Sequence, residues 1–230
     1  MPVILTIDAS SSLCSVALDI DGELLWATEE QPRRHAQRLL PMIDDILSDA
    51  DIGRKQLDGL AFGRGPGSFT GIRIAVSVAQ GLALGLDIPV CGVSSLEGVA
   101  LAGHQRVPSA TNVMTIMDAH MGEVFWGEFQ VENGLTVASA EEQVGKPEAC
   151  LESIAQFDGV LVGNGLDLPD FAQQDNEYAN VHPEARWMAL LARRQWQSGG
   201  FSTPDQHTPV YLRNSVAWKK LDEQPSLLKR

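Results

Sequence analysis

Two aspartates and one glycine-dense loop are the places in this 230-residue chain where residue type and spacing could do chemistry. Asp8 ends an apolar run, Val3-Ile4-Leu5-Thr6-Ile7, and Ala9-Ser10-Ser11-Ser12 follows it. Asp118 ends a second apolar run and is followed by Ala119-His120-Met121-Gly122. A carboxylate at a strand end beside small hydroxylated residues has two readings. Backbone N–H groups with the Ser10 and Ser11 hydroxyls could cradle a phosphate, or the aspartate could bond its own hairpin backbone. The third place is Gly63-Arg64-Gly65-Pro66-Gly67-Ser68-Phe69-Thr70-Gly71-Ile72-Arg73. An anion could sit at the N-terminus of the helix it opens, or its glycines could let two backbones pass closely. It lacks the Gly-Lys-Ser/Thr ending of a nucleoside-triphosphate loop and the third glycine of a dinucleotide fingerprint. Pro66 and Thr70 also stand where a nucleophile elbow around Ser68 needs glycine. These absences favour close packing over catalysis.

Other chemistries have less support. The histidines are His35, His104, His120, His182 and His207, and no two are three or four apart, so no helical pair can grip a metal. Cys14, Cys91 and Cys150 are far apart in apolar surroundings, as expected of buried reduced thiols in the cytosol. The net charge of -13 opposes direct binding of a nucleic-acid backbone, which would need positive surface from a partner. No secretory leader is visible, and the longest apolar stretch, 74–86, is too short to span a bilayer. A 44% hydrophobic and 20% charged composition is that of a globular chain able to bury one large core or two small ones.

The elements that must position these residues follow from the pattern. Strands are expected over 3–7, 14–20 and 23–28, with Asp21-Gly22 as the hairpin turn. Leu39, Leu40, Ile43, Ile46 and Leu47 recur at helical spacing over 35–50, with Pro41 expected in the first turn or at a kink. A strand over 57–62 feeds the glycine loop, and Ser68 or Thr70 can cap the next helix. A strand over 88–93 and a helix over 95–102 capped by Ser94 complete the first half, and 103–111 reads as a boundary. The second half repeats the order, with strands over 112–117, 123–131, 135–138 and 160–162 and helices over 147–156 and 184–197. An extended tail begins at Ser202. Two lobes, 1–106 and 107–230, each opening strand–Asp–loop–strand–turn–strand, resemble the duplicated βββαβα actin, sugar kinase and Hsp70-like (ASKHA) α/β fold. That resemblance sets no function by itself.

The helix after the glycine loop carries Gly71, Ala75, Ala79 and Ala83 every fourth residue, with large aliphatic residues over most of the remainder. A helix apolar all round must be covered all round. The small-residue stripe is expected to admit another helix, so the candidate partner surface is Leu39, Leu40, Ile43, Leu47, Ile72, Ala75, Val76, Ala79 and Leu82.

Ile7-Asp8-Ala9-Ser10, Gly65-Pro66-Gly67-Ser68-Phe69-Thr70-Gly71-Ile72-Arg73, 117–125 and Tyr211-Leu212-Arg213 together resemble the bacterial TsaB (YeaZ) family, from the first strand to the tail. The resemblance implies a part in making threonylcarbamoyladenosine at position 37 of tRNA, as the non-catalytic partner of the transferase TsaD. TsaE, a small ATPase, would join them, and TsaC would supply the activated intermediate. It further implies a cytoplasmic location, no cofactor, a homodimer when TsaD is absent, and contact with tRNA only through partners. Where the catalytic relative carries two metal-binding histidines four apart, this chain has Ser95 and Val99, and valine cannot ligate a metal. The competing expectation is an ATP-binding phosphotransferase or metallopeptidase-like enzyme of the same fold. That enzyme would need a working phosphate hairpin, from Asp8, Ser10, Ser11 and Asp118, or a metal.

Overall fold

A computed structural model describes residues 2–30 and 34–213. The first half builds a five-stranded sheet from β1 (Val3–Asp8), β2 (Leu13–Ile20), β3 (Glu23–Glu30), β4 (Gly59–Gly65) and β5 (Val90–Ser94), in the order β3-β2-β1-β4-β5. β1 pairs antiparallel with β2 across the Asp8 loop and parallel with β4. The second half repeats this plan with β6 (Asn112–His120), β7 (Glu123–Glu132), β8 (Leu135–Ala138), β9 (Gln143–Gly145) and β10 (Val160–Val162). Its order is β10-β6-β7-β8, with β9 also paired to β7. β6 pairs antiparallel with β7 across the Asp118 loop and parallel with β10. The expected duplicated α/β architecture of the actin-like folds is therefore the one observed.

Two helices, α1 (His35–Asp49) and α2 (Phe69–Leu86), cover one face of the first sheet. Leu39, Ile43, Ile72 and Val76 join Leu5, Ile7, Val16 and Phe62 in its largest apolar cluster. Pro41 is the interior proline of α1, neither in the first turn nor at the end of the helix. It is exposed, so water can satisfy the Gln37 carbonyl that lacks a donor. With 18 residues and a mean hydropathy of 1.5, α2 has the length and composition to cross a bilayer, more than the 74–86 run alone suggested. Here its Gly71, Ile72, Ala75, Val76, Ala79 and Ala83 are buried in the folded chain.

The remaining long helices exchange places. α3 (Ser95–Arg106) leaves the first sheet, and its Leu96, Val99 and Ala100 pack on Val113, Met117 and Phe129 of the second. α5 (Ala185–Gln197) belongs to the second half, yet its Met188, Leu191 and Ala192 pack on Ile4, Ala61, Cys91 and Val93 of the first sheet. A short helix, α4 (Pro147–Ile154), lies against β7. The sheets divide near residue 106, but the core between them is shared. Gly103, read from sequence as part of a boundary, lies inside α3, and it is glycine where a side chain would collide with Val162.

Residues 202–213 form a strap back across the first sheet and on to the second. Ser202 bridges Val90 at the edge of β5. The Gln80 side chain donates to the carbonyls of Pro204 and His207 at 2.9 and 2.8 Å, and Val210 N–H donates to Arg64 O. Arg213 reaches Glu123 at 2.5 Å and the Ala119 carbonyl at 3.1 Å. The rest of the expected tail, 214–230, lies outside the described residues.

Candidate functional site

Asp8 is fully buried at the end of β1. Its Oδ2 accepts from Ser10 N–H at 3.2 Å and from Ser10 Oγ at 3.1 Å. Its Oδ1 is buried with no hydrogen-bond partner. Burial pushes the carboxyl up to about 6, against the opposing pull of the Ser10 bonds. The glycine loop is what buries it. A Cβ at Gly63 would collide with the Asp8 carboxyl, one at Gly67 with the Ser10 carbonyl, and one at Gly71 with the Ala9 carbonyl. Ser68 N–H donates to Ser10 O at 2.7 Å, and Ser68 Oγ, not that of Thr70, caps α2 through Gly71 N–H at 3.2 Å. Of the two readings of this loop, close approach of two backbones is what the geometry carries out.

Asp118 serves its own hairpin. Its Oδ1 accepts from His120 N–H at 2.7 Å, and its Oδ2 lies 3.0 Å from His120 Nδ1. Those bonds hold a turn in which His120, Met121 and Gly122 all have positive φ. Ser10, Ser11, Ser68, Asp118, Asn164 and His182 line one cleft of ≈ 430 Å³, so the structure does bring the sequence candidates of both halves together, with Asp8 behind them. Ser10 donates to Asp8, Ser11 accepts from Leu13 N–H and Ser68 caps a helix. The Ser–His hydrogen bond of the described residues, Ser202 Oγ to His207 Nε2 at 2.8 Å, lies in the strap and not in this cleft. Among the described residues no group of three or more His, Cys, Asp or Glu is placed to hold a metal ion. Val99 lies in the apolar cluster against the second sheet, and Ser95 is buried with no partner for its Oγ.

Most of the partner surface drawn from the sequence is covered within the chain itself. Leu39, Ile43, Leu47, Ile72, Ala75, Val76 and Ala79 are buried within this chain: the α1 residues join the core cluster of the first sheet, and the α2 stripe through positions 71, 75, 79 and 83 faces that sheet. Small residues there let α2 lie close on β1 and β4. Of the candidates only Leu40, 43% exposed, and the half-buried Leu82 reach the surface. A second stripe, missed in the sequence, faces outward. Ser77, Gly81 and Gly85 are exposed on α2 at spacings of four, and an added Cβ at either glycine would meet nothing within 4 Å. Beside them stand Leu84, 78% exposed, and the half-buried Ile74 and Val78. Its period was present in the sequence, but two small-residue stripes run along one helix and only burial tells them apart.

Comparison with known proteins agrees with this architecture along its length. Residues 28–179 match the family model described as TsaD: tRNA N6-adenosine threonylcarbamoyltransferase. The tRNA threonylcarbamoyladenosine biosynthesis protein TsaB of Escherichia coli K12 is 43% identical over 228 residues, 95% of this chain and 97% of that protein. The chain belongs to the TsaB (YeaZ) family. The TsaB of Haemophilus influenzae is 36% identical over 95% of this chain and 96% of its own length. The solved structure of YeaZ from Pseudomonas aeruginosa superposes with a TM-score of 0.85 at 39% identity, covering 92% of this chain and all of that one. The TsaB relatives are bacterial proteins named for biosynthesis of threonylcarbamoyladenosine in tRNA. Another P. aeruginosa structure, with a TM-score of 0.85, is described as similar to peptidase YEAZ. In this chain the cleft between the two aspartate hairpins holds serines bonded to a carboxylate and to backbone.

Proposed function

We propose that this chain is the non-catalytic partner of a TsaD-like transferase in the cytoplasm. It would support transfer of the threonylcarbamoyl group to adenine 37 of tRNA by docking through the outward face of α1 and α2. The observation that carries this reading is the surface of α2. On an 18-residue helix of high hydropathy Leu84 and two unobstructed glycines are exposed and Val78 and Ile74 are half-buried, and Leu40 of α1 is exposed as well. Glycine within a helix costs about 1 kcal/mol relative to alanine. That cost has no counterpart inside this chain and is accounted for by a helix that must come close. The relatives' role in threonylcarbamoyladenosine biosynthesis and the match to the transferase family support a TsaD-like partner. A second copy of the chain would occupy the same face when the transferase is absent, and a TsaE-like ATPase would join the assembled pair. With a charge of -13, contacts to tRNA fall to the partner chains.

The absence of catalysis is supported by the cleft. The Ser10 carbonyl accepts from Ser68, the Ser10 N–H and hydroxyl go to Asp8, and Asp118 is tied to His120. The test has two arms. A strain lacking this chain should lose threonylcarbamoyladenosine from its tRNA and regain it on re-expression. The isolated chain, titrated with ATP and Mg²⁺ in a calorimeter, should show neither turnover nor micromolar binding. Turnover by the isolated chain would establish the phosphotransferase alternative instead.

A further inference from the structure

Two stretches that set this sequence apart, Phe69 to Arg73 and Tyr211 to Arg213, meet in the fold although Arg73 and Tyr211 are 138 positions apart. The Arg73 Nε donates to Tyr211 Oη at 2.8 Å. Its guanidinium carbon lies 3.7 Å over the centre of the Phe69 ring and 5.6 Å from that of Tyr211. Phe69 and Tyr211 are 48% and 42% exposed, and their rings stand 5.4 Å apart and tilted by 42°. Phe69 and Arg73 line a groove of ≈ 430 Å³ together with the exposed Ala36 of α1 and the half-buried Ile74 and Val78 of α2. Arg64, Arg193, Arg194 and Arg213 each hold a carboxylate of the chain. Arg73 is exposed, and its terminal nitrogens bond none of the described residues.

Resting on the docking role of the α1–α2 face, we propose that Arg73, held by Phe69 and Tyr211, is a pre-oriented clamp for a carboxylate on the helix that the transferase lays in this groove. A guanidinium offers a planar fork that matches one carboxylate with two parallel hydrogen bonds. Stacking on Phe69 and the bond to Tyr211 fix the side chain before the partner arrives, which lowers the ordering cost of binding. Apolar Ile74 and Val78 below the fork suit an amphipathic helix that presents its acid at the groove's end. A phosphate backbone fits poorly, since one cation would face the field of a chain with charge -13. The strap thereby gains a role beyond packing, because Tyr211 shapes the docking surface from the far end of the chain.

The test is calorimetric titration of the purified TsaD-like subunit into the full chain and its R73A, R73K, Y211F and L84E variants. Each variant is first checked for a wild-type melting temperature. R73A should weaken binding about 30-fold or more and flatten its salt dependence. R73K should restore only part of the affinity, and Y211F should weaken it by about threefold to tenfold. If L84E abolishes binding while R73A keeps wild-type affinity and salt dependence, the clamp is overturned and the docking face stands. If L84E also binds normally, the docking reading fails and the clamp with it. If R73A only dissociates a homodimer and leaves transferase affinity unchanged, the clamp for the transferase is overturned and the carboxylate belongs to a second copy.

Discussion

The carboxyl group of Asp8 occupies the volume that a side chain at position 63 would need. β1 and β4 run parallel side by side, and the strand-end aspartate of one is accommodated only because the other carries glycine. The glycine loop is thus tied to the Asp8 hairpin by exclusion of atoms. The same applies at Gly67 and Gly71, which lie against the Ser10 and Ala9 carbonyls.

Replacing Gly63 by alanine should destabilise the chain by about 2 kcal/mol, the usual scale of overpacking in a rigid interior. The cost should shrink in an Asp8→Ala background, since the colliding group is gone. Equilibrium urea unfolding of the four members of this cycle measures the coupling. Additive effects would mean that the Asp8 carboxyl moves aside freely.

Asp8 also gives stability a particular pH dependence. Its carboxyl, at 3.8 in the unfolded chain, is raised to about 6 by burial. Below the lower value both states are protonated, between the two only the folded chain keeps the proton, and above about 6 the folded chain must hold a buried carboxylate. Stability from this group therefore falls as pH rises through that window, by about 3 kcal/mol in all. Asp8→Asn keeps the shape without the charge. It should raise the melting temperature at pH 8 and lose that advantage progressively toward pH 4. A gain that does not vary with pH would show that the buried charge is not its source.

Gly81 separates the needs of the chain from those of its partner. Gly81→Ala meets open space in the isolated chain and should stabilise it by about 0.5–1 kcal/mol through helix propensity. The added methyl would hold an incoming helix away, so affinity for the transferase should fall while the melting temperature rises. Thermal melts and titration on one preparation read both quantities. A rise in both would remove the reason for a glycine there.

Much of this fold was legible in the sequence because its signals are local. The alternation of β1 and β2, the Asp21-Gly22 turn and the Ser68 and Ser94 caps depend on neighbours in the chain, and each is present in the structure. Elements decided by distant contacts were harder to read. Gly103 resembles a boundary until Val162 is placed against it. The exchange of α3 and α5 between sheets leaves no local trace, since a helix apolar on two sides does not say which sheet it covers. Covered and open residues of the candidate surface could not be told apart for the same reason: Val76 and Val78 are alike in sequence, yet one is in the core and the other borders the groove. The meeting of Arg73 with Tyr211 needed the whole strap to be traced.

The claim at the centre is that the outward face of α2 binds a TsaD-like transferase. Leu84 tests it most directly, because at 78% exposure it contributes little to the isolated fold. Leu84→Glu should leave the melting temperature within the range of a surface substitution. In a calorimetric titration with the transferase it should reduce affinity by about 100-fold or more, as loss of an interface anchor does. A variant that folds normally and binds with wild-type affinity would contradict the account.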